Sequence, residues 1–226
     1  MLTMEVGHQE QQFQIVKTLN QDILYNPGDN IDIDFYYSTN TGNINLTGLS
    51  LYIHFDSNRI NINNLIPDYQ QDDDVLFQVE TLINSKAIFD DNNNIDLDDN
   101  TDKILALTWV DINSTFPGEE FPSLIASVRF SSSSLSDLSI DNISETYINY
   151  TGAITATDYE FKNDSTKLIA FDPLCYLASN TDLLINLGSN IEEAKTHYLN
   201  FGREENRSLD SFNAIRYLAS NTSLIN

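Results

Sequence analysis

Ile31-Asp32-Ile33-Asp34-Phe35-Tyr36-Tyr37 alternates residue by residue, with Ile31, Ile33, Phe35 and Tyr37 on one side of an extended chain. A helix would scatter these apolar side chains, whereas a strand with one buried face collects them. Leu49 to Phe55 repeats the pattern: Leu49, Leu51, Ile53 and Phe55 face inward, Tyr52 and His54 outward. Ile104–Val110 and Leu124–Phe130 read as strands of the same kind, and Phe13–Leu19 alternates roughly. Turn residues punctuate these runs. In Asn26-Pro27-Gly28-Asp29-Asn30 the proline presets φ and the glycine permits a positive one. Val75–Val79 is an apolar piece of uncertain register, and further short β pieces are expected around 138–143, 147–150 and 154–161. Phe116–Pro122 and the serine run Ser131–Ser134 read as loops. Eight or nine short strands with no helical pattern before about residue 170 predict a mainly β fold, an antiparallel β-sandwich.

The pattern changes after Leu168. Asp172 is placed to cap a helix with Pro173 at its first position. Leu174, Leu177, Ala178, Leu183 and Leu184 recur near the helical period, Ile191–Phe201 predicts a second helix with Gly202 as its C′ residue, and a third begins near Ser211. Tyr176-Leu177-Ala178-Ser179-Asn180-Thr181 recurs unchanged 41 residues later as Tyr217 to Thr222. Periods of this length mark repeated helical units that bury their apolar faces on one another. The expected organisation is a sandwich over residues 13–165 and a helical repeat unit over 171–226, its second copy truncated, the whole reading as a piece of a longer protein.

Charge narrows the function. The chain has 11 basic and 34 acidic residues, a formal net charge of −23, and −21 of it lies in residues 1–165. Such a surface repels phosphate backbones and anionic headgroups and attracts divalent cations, so nucleic acid is excluded as a partner. No run of about 18 apolar residues is present, so no membrane insertion is expected. The first residues lack the basic and apolar regions of a signal peptide, but in a fragment this says little about location. The single cysteine, Cys175, allows neither an intramolecular disulfide nor a cysteine metal cluster.

Carboxylates and amides are densest in Asp90–Asp102, just before the strand that carries the only tryptophan, Trp109. Asp90, Asn92, Asn94, Asp96 and Asp98 occupy alternate positions, with Asp102 beyond them. Ca²⁺ takes six to eight oxygens of these types, so the six residues form a candidate Ca²⁺ set. An EF-hand is disfavoured: Ile95 stands where its glycine belongs, Thr101 where its bidentate glutamate belongs, and the flanks read as strands. The alternative is a solvated acidic loop. Asp68 and Asp72–Asp74 read as a solvated turn. Tyr36 and Tyr52, outward by alternation, are the candidate stacking surface for a sugar or simply strand formers, whereas Trp109 faces inward with Leu105 and Leu107.

No nucleophile elbow, phosphate loop, dinucleotide fingerprint or His-Glu-x-x-His motif is present, and His8, His54 and His197 lie in three separate segments. Cys175 aligns with Arg216 in the repeat, which suits an exposed position better than a nucleophile.

Three features carry a resemblance over residues 13–165: the Asn26-Pro27-Gly28-Asp29 turn before an alternating strand, Leu51-Tyr52-Ile53-His54-Phe55-Asp56, and Trp109-Val110-Asp111 leading through a proline loop to Ala126-Ser127-Val128-Arg129-Phe130. Together they resemble the cohesin-like domains of bacterial secreted proteins. The Tyr-Leu-Ala-Ser-Asn repeats are similar to those at the ends of large surface or haemolysin-type proteins. The resemblance implies a jelly-roll-like sandwich, related to carbohydrate-binding modules, and attachment to a glycan or another surface protein. The expected function is therefore a non-catalytic extracellular or cell-surface binding and adhesion module with a Ca²⁺-stabilised acidic loop. Its alternatives are a carbohydrate-binding module attached to a polysaccharide-degrading enzyme, or a structural spacer.

Overall fold

The computed structural model describes residues 11–62, 74–79, 83–133, 145–153, 159–209, 211–221 and 223. The β piece expected at 138–143, the start of that at 154–161, and Asp68, Asp72 and Asp73 lie outside these residues.

Two sheets face each other. The first holds β1 (Gln12–Lys17), β3 (Asn30–Thr39), β6 (Ile60–Asn61), β7 (Val75–Phe77), β11 (Ser123–Ser132) and β13 (Tyr159–Lys162), in the order β13-β1-β3-β11-β6, with β7 also on β11. The second holds β2 (Asp22–Tyr25), β5 (Gly48–Phe55), β8 (Ile83–Asp90), β9 (Lys103–Val110), β12 (Glu145–Ala153) and β14 (Asp164–Ala170), in the order β2-β14-β12-β5-β9-β8. A short ribbon pairs β4 (Asn45–Leu46) with β10 (Phe116–Pro117). The expected β-sandwich is present, but it is not wholly antiparallel. The first two strands lie parallel to the last two, β1 on β13 and β2 on β14. Ser131 and Ser132 extend β11, and Phe116-Pro117 pairs, where loops were expected.

Alternation places the core. Ile33, Phe35 and Tyr37 of β3 meet Leu49, Leu51, Ile53 and Phe55 of β5, all buried. Rings interlock across the sheets edge to face: Phe35 against Tyr150 at 5.4 Å and Phe55 against Phe130 at 5.6 Å. Such pairs add about 0.5–1.5 kcal/mol each to their burial. Trp109 is fully buried with the edge of Phe77 against it. It anchors the core.

Three helices and a turn form a second, smaller core, α1 (Pro173–Ser179), α2 (Thr181–Leu187), α3 (Ile191–His197) and a wide π turn over Tyr198–Gly202; α4 (Ala214–Ser220) follows outside it. Asp172 caps α1 as expected, accepting from the amides of Leu174 at 2.9 Å and Cys175 at 3.0 Å, a cap worth about 1 kcal/mol. The apolar period read across 174–184 breaks at Asn180, where α1 gives way to α2. Gly202 is not the left-handed terminator expected of it. It is buried in the π turn, and a Cβ there would lie 2.3 Å from the Tyr176 hydroxyl, so glycine serves close packing. The two cores meet at β14. Leu168 joins the sandwich core and Ile169 the helical one with Phe171, Tyr176 and Tyr198. Arg203 adds an ion pair to Asp22 of β2 at 2.9 Å.

Candidate metal centre

The hairpin between β8 and β9 carries the acidic loop. Its stem is closed by the Asp91 amide, which donates to the Asp102 carbonyl at 2.9 Å. Its ladder ends on Asp90 and Lys103, whose side chains form an ion pair that raises the lysine pKa. Asn94 and Leu97 take φ of 46° and 63°, which coil the loop rather than extend it. The coil lies over the outer face of the sheet, on β5 and β12. There it covers His54, which points outward as alternation predicts yet has no exposed surface.

His54 is the centre of the arrangement. Its Nδ1 lies 2.7 Å from Asp91 Oδ2 and 3.8 Å from Asp96 Oδ1. The carboxylate can only accept, so Nδ1 carries the proton of the shorter contact; Nε2 shares a hydrogen bond with the Thr151 hydroxyl at 2.8 Å. The side chains of His54, Asp91 and Asp96 are 0, 0 and 1% exposed. One ligand atom from each lies within 4.8 Å of the others. Asp91 Oδ1 accepts from the Ile95 amide at 3.3 Å. Asp96 Oδ2 accepts from Thr101 Oγ1 and from Asn149 Nδ2 of β12, both at 2.9 Å. Asn149 also donates to Asp98 at 3.2 Å. Burial works against the Asp98 carboxylate, but hydrogen bonds from Asn100 and Asn149 outweigh it and hold its pKa below the usual value.

The sequence-derived set is thus divided. Asp96 is in the cluster and Asp98 borders it through Asn149. Asp90 pairs with Lys103, Asp102 accepts from the amide and hydroxyl of Ser57 at 2.7 and 2.6 Å, and Asn92 is exposed. Asn94 donates to Asp99 at 2.6 Å, while its Oδ1 is buried with no hydrogen-bond partner among the described residues. Asp91 and His54 were missed. Asp91 has the wrong parity for an extended loop, and nothing local in the sequence shows what covers His54. Tyr36 lies on the outer face of β3 and Tyr52 on that of β5, so the two occupy opposite sides of the sandwich.

Asp91, His54 and Thr151 line up as carboxylate, imidazole and hydroxyl. Nucleophilic catalysis needs a reachable hydroxyl and space for a substrate. Thr151 is 6% exposed and the imidazole is sealed beneath the loop, so the line of hydrogen bonds holds the loop to the sheet. His197, by contrast, meets the Tyr176 hydroxyl at 2.9 Å, and burial pushes that phenol up to about 12.

No family model matches the chain, and no curated protein matches it. Solved structures overlap with it in part. A type I cohesin–dockerin complex from Clostridium thermocellum overlaps at 12% identity and TM-score 0.41, covering 71% of this chain and 95% of that one. CaCohA2 from Clostridium acetobutylicum does so at 12% and 0.42, covering 71% and 92%. A cohesin module from a Clostridium perfringens family 33 glycoside hydrolase does so at 10% and 0.39, covering 70% and 97%. Overlaps of this size do not constrain ligand or partner.

Proposed function

We propose that this chain is a non-catalytic, extracellular binding module whose acidic loop is locked to the sheet by a divalent cation. The observation that carries the proposal is the burial of His54, Asp91 and Asp96 under the loop. Groups sealed in this way can hold a loop in shape and cannot turn over a substrate. The charge balance favours a cation. Two buried carboxylates face one imidazole, and an unbalanced negative charge in a low-dielectric site costs several kcal/mol. A divalent ion bound at Nδ1 would displace the proton there and balance both carboxylates, with the neutral imidazole keeping its hydrogen on Nε2 toward Thr151. The nitrogen donor suits Zn²⁺ or another borderline transition ion better than Ca²⁺, which takes oxygens. The Ca²⁺ expected from the sequence would rest on the oxygens of Asp96 and Asp98.

The partner is met by the outer surface, because large side chains fill the space between the sheets. No helix among the described residues is long and apolar enough to cross a membrane. A surface protein is the proposed partner, and a glycan is the second.

Thermal melting tests the cation. Relative to chelated protein, an ion at a hundredfold excess over its Kd should add about 2.7 kcal/mol, or about 5–10 °C in Tm for a chain of this size. Zn²⁺ should exceed Ca²⁺, and Asp96→Asn should shrink the rise. A Tm unmoved by chelator and by Zn²⁺, Mn²⁺ and Ca²⁺ overturns the cation. Retention of neither surface proteins nor arrayed glycans on the immobilised chain overturns the binding function.

A further inference from the structure

The helix α4 repeats α1 at an offset of 41 residues in bounds, caps and ring geometry. Pro173–Ser179 becomes Ala214–Ser220, and the N-cap Asp172 becomes Asn213, which accepts from the Arg216 amide at 2.7 Å as Asp172 does from Cys175. Asn180 and Asn221 each return a side-chain amide to the carbonyl four residues earlier, at 2.8 and 2.9 Å. Phe171 and Tyr176 sit 5.2 Å apart at 52°, and Phe212 and Tyr217 sit 5.6 Å apart at 49°.

The copies differ in what lies against them. In the first, a third ring completes the set: Tyr198 stacks on Phe171 at 4.9 Å and meets Tyr176 edge-on at 5.6 Å, with Ala194 one turn before it on α3. Tyr176 and Leu177 are then 0 and 1% exposed, whereas their counterparts Tyr217 and Leu218 are 50 and 41% exposed. The junction between copies is specific too. Asn180 donates to the Ser208 carbonyl at 2.8 Å, and Ser179 accepts from the Phe212 amide at 3.0 Å.

We infer that Phe212, Tyr217 and Leu218 form a docking face for a helix of the α3 kind, supplied by a further unit of the same repeat. The occupant carries a small residue where α3 has Ala194 and an aromatic ring four positions on, where Tyr198 lies. The small residue lets the helices approach, and the ring stacks on Phe212 as Tyr198 does on Phe171. The first copy defines the chemistry, because the same face in the same backbone geometry is closed there by that helix.

The test extends the chain by replacing the five residues after Asn221 with a second copy of Thr181–Leu209, which begins with the same threonine. Amide exchange at 214–220 should slow by about tenfold or more relative to the parent chain. Leu218→Asp in the extended chain should abolish the gain while leaving exchange in the sandwich unchanged. No slowing at α4 overturns the inference, whether or not the added segment becomes helical. Slowing in the parent chain that grows with protein concentration also overturns it, in favour of a second copy as the occupant.

Discussion

His54→Leu is expected to lower the free energy of unfolding by about 3–5 kcal/mol, the cost of removing one partner from a buried charged cluster. Leucine fills the space of the imidazole but leaves buried Asp91 and Asp96 without the ring nitrogen that both now face. It also strands the buried Thr151 hydroxyl. Urea unfolding monitored by the buried Trp109 reads the loss. The double variant with Asp91→Asn should recover part of it, because one of the opposed charges is gone. A loss below about 1 kcal/mol, the ceiling for an exposed ion pair, would sink the claim that the cluster is sealed. The proposed cation makes a second demand: Zn²⁺ should raise the Tm of the parent chain and leave that of His54→Leu unchanged.

Gly48→Ala is the second large effect. Gly48 opens β5 at φ +134°, and a Cβ there would lie 2.0 Å from the Trp109 carbonyl oxygen of β9. That atom is backbone inside a paired ladder, so relief requires parting β5 from β9 next to the tryptophan. The expected loss is about 4 kcal/mol or more, in the range kept for severe backbone and packing conflicts. Gly42→Ala is the control. Its φ of +73° is also left-handed, but nothing lies within 4 Å of the added carbon. It should cost only the strain, about 1 kcal/mol. Equal losses at the two glycines in urea titrations would show that the close approach to Trp109 does not matter.

The strands legible in the sequence are those with one regularly apolar face. β3, β5, β9 and β11 alternate because their inward positions are regularly apolar and most of their outer positions polar, and each was placed to within a few residues. β14 was missed because alternation fails where both faces are covered: Thr166 and Leu168 face one core and Ile169 the other. β8 was missed as an edge strand of mixed composition, Ile83-Asn84-Ser85-Lys86-Ala87-Ile88-Phe89-Asp90. The site was half legible. Composition pointed to the loop and to Asp96. The rule of alternate positions assumed an extended loop, and the positive φ at Asn94 and Leu97 instead turns Asp91 and Asp96 toward one point. The direction of His54 could be read from its strand, but its burial depends on a loop that begins 37 residues later.

The loop over His54 also sets an order of events in folding. It joins partners 37 and 53 residues apart, on strands that must already be paired before it can settle. Contacts that close such long segments cost the most chain entropy and form late. The loop is therefore expected to act as a latch rather than a nucleus. Loosening it, by chelation or at Asn149, is expected to leave the refolding rate unchanged and to raise the unfolding rate, so it governs how long the native state lasts more than how fast it forms.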